Sequence, residues 1–441
     1  MHPGTEIPFA ATGTPPAYST YPKPDWFVEA FDASVLNAWL AAPRAPHAHG
    51  AIAIELRLPA SSADGCLCGR GDCVSDDACF DRLDHEMALY RAALGDAPEV
   101  CDLRWSNGCA TLPRKAMRRL YRAVAGHFGI PSGAGFGARL DPHAHHRDAL
   151  VTLRKLGAHS IQIGAEPVDR HIKPDSTRSS ERASALIASA RDGGFTGIEA
   201  EYRIDAPERL GASPRASLDT LIAAGPTRLV LSDATPLNGS LVAHPPQLGA
   251  PAAFVNAAAR LAHAGYVCIG ENLFALASDP YAVAHRQGRL MCRAGGFATH
   301  PAGTVLGLGP GAIGQVGPFY YQNHRAPARY FAALDAGHLP IERGLHLSHD
   351  DLVRRSVISS LATNLFVDVP AIEAAYGIDF GQVFATEWRQ LRAYAEGGLL
   401  TMDHNGITLT QPGRLACSSI CQVFDAHARR RIERMPQTSL L

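Results

Sequence analysis

From residue 51 to residue 232 the apolar positions switch period again and again. Short β-rich runs (Ala51–Leu58, Glu99–Trp105, Gly135–Leu140, His159–Gly164, Thr196–Tyr202 and Thr227–Ser232) alternate with stretches carrying apolar residues at helical spacing. Those stretches are Phe80–Leu94, Ala116–Phe128, Ala149–Leu156, Ala183–Ala190 and Ala216–Ala223. Pro113 sits just inside one helix start and Gly193–Gly194 closes another. An alternation of roughly 30–40 residues per unit predicts βα repeats around a parallel sheet. Six such units suit an open barrel or a doubly wound sheet. A seventh strand, Tyr266–Gly270, is expected after a helix over Pro251–Ala264. On either architecture, chemistry belongs at the carboxyl ends of the strands.

The flanks follow other patterns. Residues 1–50 are rich in Pro, Ala and His, with one helix expected over Trp26–Ala41, and read as an arm. Beyond about residue 300, Gly307–Gly314 is glycine-rich, and Asp350–Asn364 and Gln382–Ala395 read as helices. Leu399–Met402 and Ile407–Thr410 flank Asn405-Gly406, a strong hairpin signal, and a last helix is expected over Arg414–Arg431. The chain thus divides into an arm (1–50), a β/α barrel (51–300) and a mostly helical C-terminal domain containing the hairpin (301–441). That last domain resembles a winged helix, but it has no basic recognition helix and reads as a packing module.

Composition narrows the function. Of 441 residues, 46% are hydrophobic and 19% charged, with a net charge of -1, so the class is ordinary globular and no electrostatic footprint for nucleic acid exists. No apolar run reaches the ~18 residues of a membrane span, and the start lacks the pattern of a signal peptide. The expectation is a cytoplasmic protein without membrane insertion.

Four of the ten cysteines, Cys66, Cys68, Cys73 and Cys79, lie close together; the other six sit in apolar surroundings and read as small buried hydrophobes. Cys66, Cys68 and Cys73 form C-x-C-x4-C beside Gly69 and Gly71, a candidate iron–sulfur loop whose spacing is poor for zinc. His47 and His49 precede the first strand and fall on the wrong rim of a barrel; His143, His145 and His146 follow the third strand on the correct one. A metal or haem-iron ligand is conceivable there, a solvated loop the simpler reading. Gly309–Gly314 fits G-x-G-x-x-G, but no amphipathic helix follows, so a tight turn at the barrel mouth explains it better than a dinucleotide site.

Leu306–Gly314, Tyr321-Gln322-Asn323, Ala333–Arg343, Leu352–Ile358, Ile372-Glu373, Ile420-Cys421 and Val423–Asp425 together resemble the oxygen-independent coproporphyrinogen III oxidases. Gly265–Gly270, Ala284–Gly288 and Tyr18–Pro22 extend the likeness over nearly the whole chain. The resemblance implies an open (β/α)6 radical-SAM-type partial barrel with an N-terminal arm and a helical C-terminal domain. It also implies a [4Fe–4S] cluster held by three thiolates at C-x3-C-x2-C, with S-adenosyl-L-methionine on the open iron, converting two propionates of coproporphyrinogen III to vinyls.

Measured against that pattern, the chain departs at the chemistry. The three cysteine positions are Ser61, Gly65 and Cys68, and a tyrosine before the loop is Glu55. In the implied adenosylmethionine pocket the glycine turn is Ser106–Ala110 (keeping Gly108), a third-strand glutamate is Arg139, a glutamine is Glu166 and a fifth-strand aspartate is Glu201. Arg178 and Ile313 match. The expectation is a catalytically silent or altered paralogue that binds a tetrapyrrole, coproporphyrinogen or haem, between apolar barrel walls, with Arg139, Arg178 and Arg325 as propionate partners. Two alternatives stand beside it: an active oxidase with an atypical cluster on Cys66, Cys68 and Cys73, and a non-catalytic interaction protein acting through its C-terminal domain.

Overall fold

In a computed structural model the described residues are 18, 20–31, 33–41, 50–58, 76–95, 98–106, 112–142, 147–164, 176–204, 214–232, 250–293 and 296–434. The chain divides into two units. One, the barrel unit, takes Phe27–Ser232 and His300–His346; the other takes Met1–Trp26, Asp233–Thr299 and Leu347–Leu441.

The expected arm helix is shorter than its pattern: a 3-10 turn covers Pro24–Trp26 and helix α1 covers Ala33–Ala41. The barrel unit then forms strands β1 (Ile52–Arg57), β2 (Val100–Ser106), β3 (Gly135–Leu140), β4 (Ser160–Ile163), β5 (Gly197–Arg203) and β6 (Arg228–Ser232). Helices α2 (Asp76–Leu94), α3 (Arg114–His127), α4 (Arg147–Lys155), α5 (Ser176–Asp192) and α6 (Pro214–Ala224) join them. Successive strands pair in parallel, in sequence order. Alternate residues are apolar and buried: Ile54, Leu56, Trp105, Phe136, Ile161, Ile198 and Leu229 among them. They face the helices, where Tyr121 of α3 stacks on Phe136 and Trp105 meets the same ring edge-on. A strand packed on helices by one set of side chains must send the other set to the opposite, inner face. This is the open (β/α)6 barrel.

The next segment belongs to the second unit: α7 (Ala250–His263), β7 (Tyr266–Cys268), β8 (Leu273–Leu276), α8 (Pro280–Arg286), β9 (Met291–Arg293) and β10 (Gly296–Ala298). The expected seventh strand forms as β7, two residues shorter at its end, and pairs antiparallel with β8. The chain returns to the barrel unit with β11 (Thr304–Leu308), parallel to β1, and β12 (Ile313–Val316), β13 (Phe319–Asn323), α9 (Pro327–Asp335) and β14 (Ile341–His346) follow. β12 to β14 extend the sheet antiparallel.

The second unit resumes with α10 (His349–Asn364), β15 (Phe366–Asp368), α11 (Val369–Tyr376), α12 (Phe380–Val383), α13 (Ala385–Glu396), β16 (Leu400–Met402), β17 (Gly406–Leu409), α14 (Gln411–Leu415), α15 (Cys417–Val423) and α16 (Ala426–Arg434). The hairpin stands where expected; the Asp403 carboxylate accepts from the Asn405 and Gly406 amides and closes its turn. The single last helix does not form. Its stretch breaks into α14, α15 and α16, and the Asp425 carboxylate starts α16 by accepting from the Ala428 amide at 2.8 Å. Tyr18 and Tyr21 of the arm are buried in this unit's core with Leu361, Phe384 and Ile420. Tyr18 donates its amide to Glu271 (2.7 Å) and its hydroxyl to Asp425 (2.9 Å).

The same unit buries Glu387 between Arg354 (2.8 Å) and Arg429 (2.5 Å). Removing one partner of such a group leaves the other charge without compensation. Glu387→Ala is therefore expected to lower stability by about 3–5 kcal/mol, read from chemical denaturation; a midpoint equal to the wild type's would show that water reaches the two guanidinium groups.

Candidate functional site

The inner face of the barrel is charged. From β1 to β6 it carries Glu55 and Arg57, then Asp102, Arg104 and Ser106, then Arg139, Gln162, Glu199, Glu201 and Arg203, and finally Arg228. This overturns the expected apolar walls. Charged residues at every second strand position look like solvated surface in a sequence, but here they line the hollow.

Most of these charges are paired, within a strand or across the sheet. Arg228 Nε lies 3.2 Å from Glu199, which also accepts from Gln162 Nε2 at 2.9 Å. Arg104 Nε lies 3.2 Å from Asp102. Arg139 Nη2 donates to Glu201 at 2.7 Å, the two side chains 36% and 26% exposed, so this pair faces solvent. Gly164 makes room for it: a Cβ there would sit 2.8 Å from Arg139 Nη2. At the start of the row the order thins. Glu55 accepts one long hydrogen bond, 3.4 Å, from the Ser106 hydroxyl. Burial pushes its carboxyl up, against the pull of Arg104 and Arg57.

A glycine turn closes the rim beside Arg57. Gly309 holds φ +96°, and a Cβ there would collide with the Arg57 carbonyl oxygen. Arg57 Nη1 donates to Gly311 O at 3.2 Å, and Arg325 Cγ lies against Gly311. The turn is held from behind by Glu86 of α2, fully buried. Its carboxylate accepts from the Gly309 amide (2.8 Å), Asn323 Nδ2 (2.6 Å) and the Tyr330 hydroxyl (2.5 Å). The Tyr321 hydroxyl accepts from the Gly307 amide at 3.1 Å, and Gln322 Nε2 donates to Gly311 O at 3.2 Å. The glycine pattern and the Tyr-x-Gln-Asn segment are thus one buttress.

The structure brings Arg139 and Glu201 together and sets Arg325 on the glycine turn, where it pairs with Glu342 (3.2 Å) at 64% side-chain exposure. Ile313 opens β12, partly buried. Cys66, Cys68, Cys73, Gly108 and Glu166 lie outside the described residues, as do His47, His49, His143, His145 and His146; Arg178 belongs to the first turn of α5, with its side chain outside them. Among the described residues no three His, Cys, Asp or Glu side chains are grouped to hold a metal. The donor set at positions 61, 65 and 68 is one hydroxyl, no side chain and one thiol, which does not fit three-thiolate ligation. Arg57, Glu86 and the Glu199–Arg228 pair were not singled out from sequence, although Glu86 signals itself by sharing a helix stripe with Leu83, Met87 and Tyr90.

No helix among the described residues is long and apolar enough to cross a membrane. Residues 347–416 match the family model described as the HemN C-terminal domain. A Pseudomonas aeruginosa protein named oxygen-independent coproporphyrinogen III oxidase is 30% identical over 367 residues, 78% of either chain. One of the same name from Salmonella typhimurium is 29% identical over 449 residues, 96% of this chain and 95% of that one. A solved structure described as coproporphyrinogen III oxidase (HemN) from Escherichia coli, a radical SAM enzyme, aligns with TM-score 0.79 at 26% identity, covering 93% of this chain and 97% of the other.

Proposed function

Because this chain belongs to the oxygen-independent coproporphyrinogen III oxidase family, we propose that it holds a carboxylate-bearing tetrapyrrole on the inner face of its barrel and does not carry out the family's radical step. The observation that supports this most is the Arg139–Glu201 pair at 2.7 Å. A charge reversal on β3 is answered by a carboxylate on β5, so the change is built into the fold. Adenosylmethionine brings a sulfonium and an ammonium group besides its carboxylate, and Arg139 puts a guanidinium where a carboxylate would attract those cations and ties up Glu201 as well. The cluster and adenosylmethionine do not fit the residues present, and no step runs through them here.

A coproporphyrinogen is not an apolar plate. It carries four propionates on its edge and a pyrrole N–H on each ring. A hollow lined with arginines and carboxylates suits such a ligand by charge-assisted hydrogen bonds. Arg139, partly open to solvent, exchanges Glu201 for a propionate; Arg178 and Arg325 are further propionate partners in this reading.

Oxygen-free titration with coproporphyrinogen III and coproporphyrin III tests it. Saturable binding at micromolar ligand is expected, weakened about tenfold in Arg139→Gln by the loss of one charge-assisted contact. No saturable binding would leave the C-terminal interaction protein as the better reading. Turnover to protoporphyrinogen, with adenosylmethionine and a reductant supplied, would sink the silent reading in favour of an active enzyme ligating through Cys66, Cys68 and Cys73.

A further inference from the structure

Glu55 and Arg57 share the inner face of β1, two residues apart, which places their Cα atoms roughly 6–7 Å from each other. Each has hydrogen-bonding capacity left over. An ionised carboxylate offers about four acceptor sites and a guanidinium five donors. Among the described residues Glu55 uses one, at the long distance of 3.4 Å, and Arg57 uses one, on Gly311 O at 3.2 Å. Neither forms an ion pair with the other or with any described side chain, unlike Arg139, Arg228 and Arg104 further along the row. Both side chains are partly exposed on the inner face, and burial raises the Glu55 carboxyl and lowers the Arg57 guanidinium.

Their backbone is fixed. The Arg57 carbonyl packs against Gly309, and the guanidinium rests on the turn that Glu86 anchors. The pair is thus an acceptor and a donor held side by side and left open.

We propose that Glu55 and Arg57 grip a single pyrrole ring, Glu55 accepting the ring N–H and Arg57 pairing with that ring's propionate; this rests on the tetrapyrrole reading above. The two groups sit on the same pyrrole, a few bonds apart, as the two side chains sit on one strand. A fully reduced ring system keeps an N–H on every pyrrole and hinges at its methylene bridges, so one ring turns into the hollow. A flat metal-filled porphyrin has the propionates and no N–H. Glu55 therefore selects the reduced substrate form, and Arg57 serves any form.

The test is oxygen-free equilibrium dialysis of the full-length protein against coproporphyrinogen III and copper(II) coproporphyrin III. In Glu55→Gln, affinity for the reduced ring is expected to fall about tenfold, the worth of a charge-assisted hydrogen bond, while the copper complex binds as before and reports that the variant is folded. In Arg57→Gln both ligands weaken alike. If Glu55→Gln binds both ligands as the wild type does, or weakens both equally, the pyrrole grip is wrong while tetrapyrrole binding stands. If the wild type binds neither, the tetrapyrrole reading fails and this inference with it.

Discussion

Glu86→Ala is expected to cost the barrel unit on the order of 5 kcal/mol, because it takes an acceptor from three buried donors, of which Asn323 Nδ2 keeps the Gly307 and Gly309 carbonyls, and leaves a cavity. The donors are the Gly309 amide, Asn323 Nδ2 and the Tyr330 hydroxyl. Domains are typically stable by only about 5–15 kcal/mol, so the variant should be recovered largely unfolded or with a sharply lowered denaturation midpoint. A pH signature separates this carboxyl from ordinary packing. Burial pushes Glu86 up to about 7, against the pull of its three hydrogen bonds. The native state then holds a proton that the unfolded chain, at its ordinary value of 4.5, releases. The stabilisation is fully present below that ordinary value and is lost as pH rises through about 7. Acidifying from about pH 8 to about pH 5.5 should gain the wild type about 2 kcal/mol through this group. Glu271, also pushed to about 7 by burial, contributes a slope of the same sign in the other unit, so the comparison must be with Glu86→Gln, in which Glu271 is unchanged. That variant sets an amide N–H against Asn323 Nδ2 and costs about 1–3 kcal/mol, but lacks the Glu86 share of the pH slope. Equal slopes for the two proteins would mean that Glu86 ionises as it does in water.

Which parts of this could be read from the residues follows from the range of the forces involved. The six parallel strands were legible because each carries its own period and its own flanking helix; β1 to β6 stand within a residue or two of the expected runs. The split of the last helix was not, because Asp425 acts on the amide three residues on and looks like any acidic residue in a helical pattern. The inner face was misread for a deeper reason. Arg139 and Glu201 are 62 positions apart, and Gln162 and Glu199 are 37 apart. Only the strand register brings them together, and register is a property of the folded sheet. The glycine turn was recognised as a turn, but its purpose depended on Glu86, an acidic residue on an apolar helix stripe that was passed over. The coproporphyrinogen oxidase likeness came from the glycine turn, the Tyr-x-Gln-Asn segment and the C-terminal helices, all of which are packing features. They carry the family's scaffold, and for that reason they say nothing of whether its chemistry persists.

That separation of scaffold from chemistry predicts what two substitutions should do. Ser61, Gly65 and Cys68 stand at the spacing of C-x3-C-x2-C, and Ser61→Cys with Gly65→Cys would complete it. The strand that leads into this segment is intact: β1 pairs with β2 and β11 along its length, and Gly309 packs on its last carbonyl, that of Arg57. After oxygen-free reconstitution with iron and sulfide, the wild type is expected to retain well under one cluster per chain, since one thiolate cannot anchor a cubane that needs three. The double variant is expected to approach one [4Fe–4S] per chain, read as iron and acid-labile sulfide content and as the broad visible absorbance of the cluster. Thiolate is the donor that iron–sulfur sites select, and a serine hydroxyl is a far poorer one at neutral pH. Adenosylmethionine cleavage should still not appear in the double variant, because Arg139 remains on the inner face and keeps the Glu201 carboxylate paired. The further reversal Arg139→Glu removes that cation and also sets a second carboxylate against Glu201, which then favours a cationic ligand. A wild-type protein that takes up a stoichiometric cluster without these changes, and loses it in Cys66→Ser or Cys73→Ser, would show that the thiols of the shifted loop have replaced the missing ones, and the silent reading would give way to an enzyme with altered ligation.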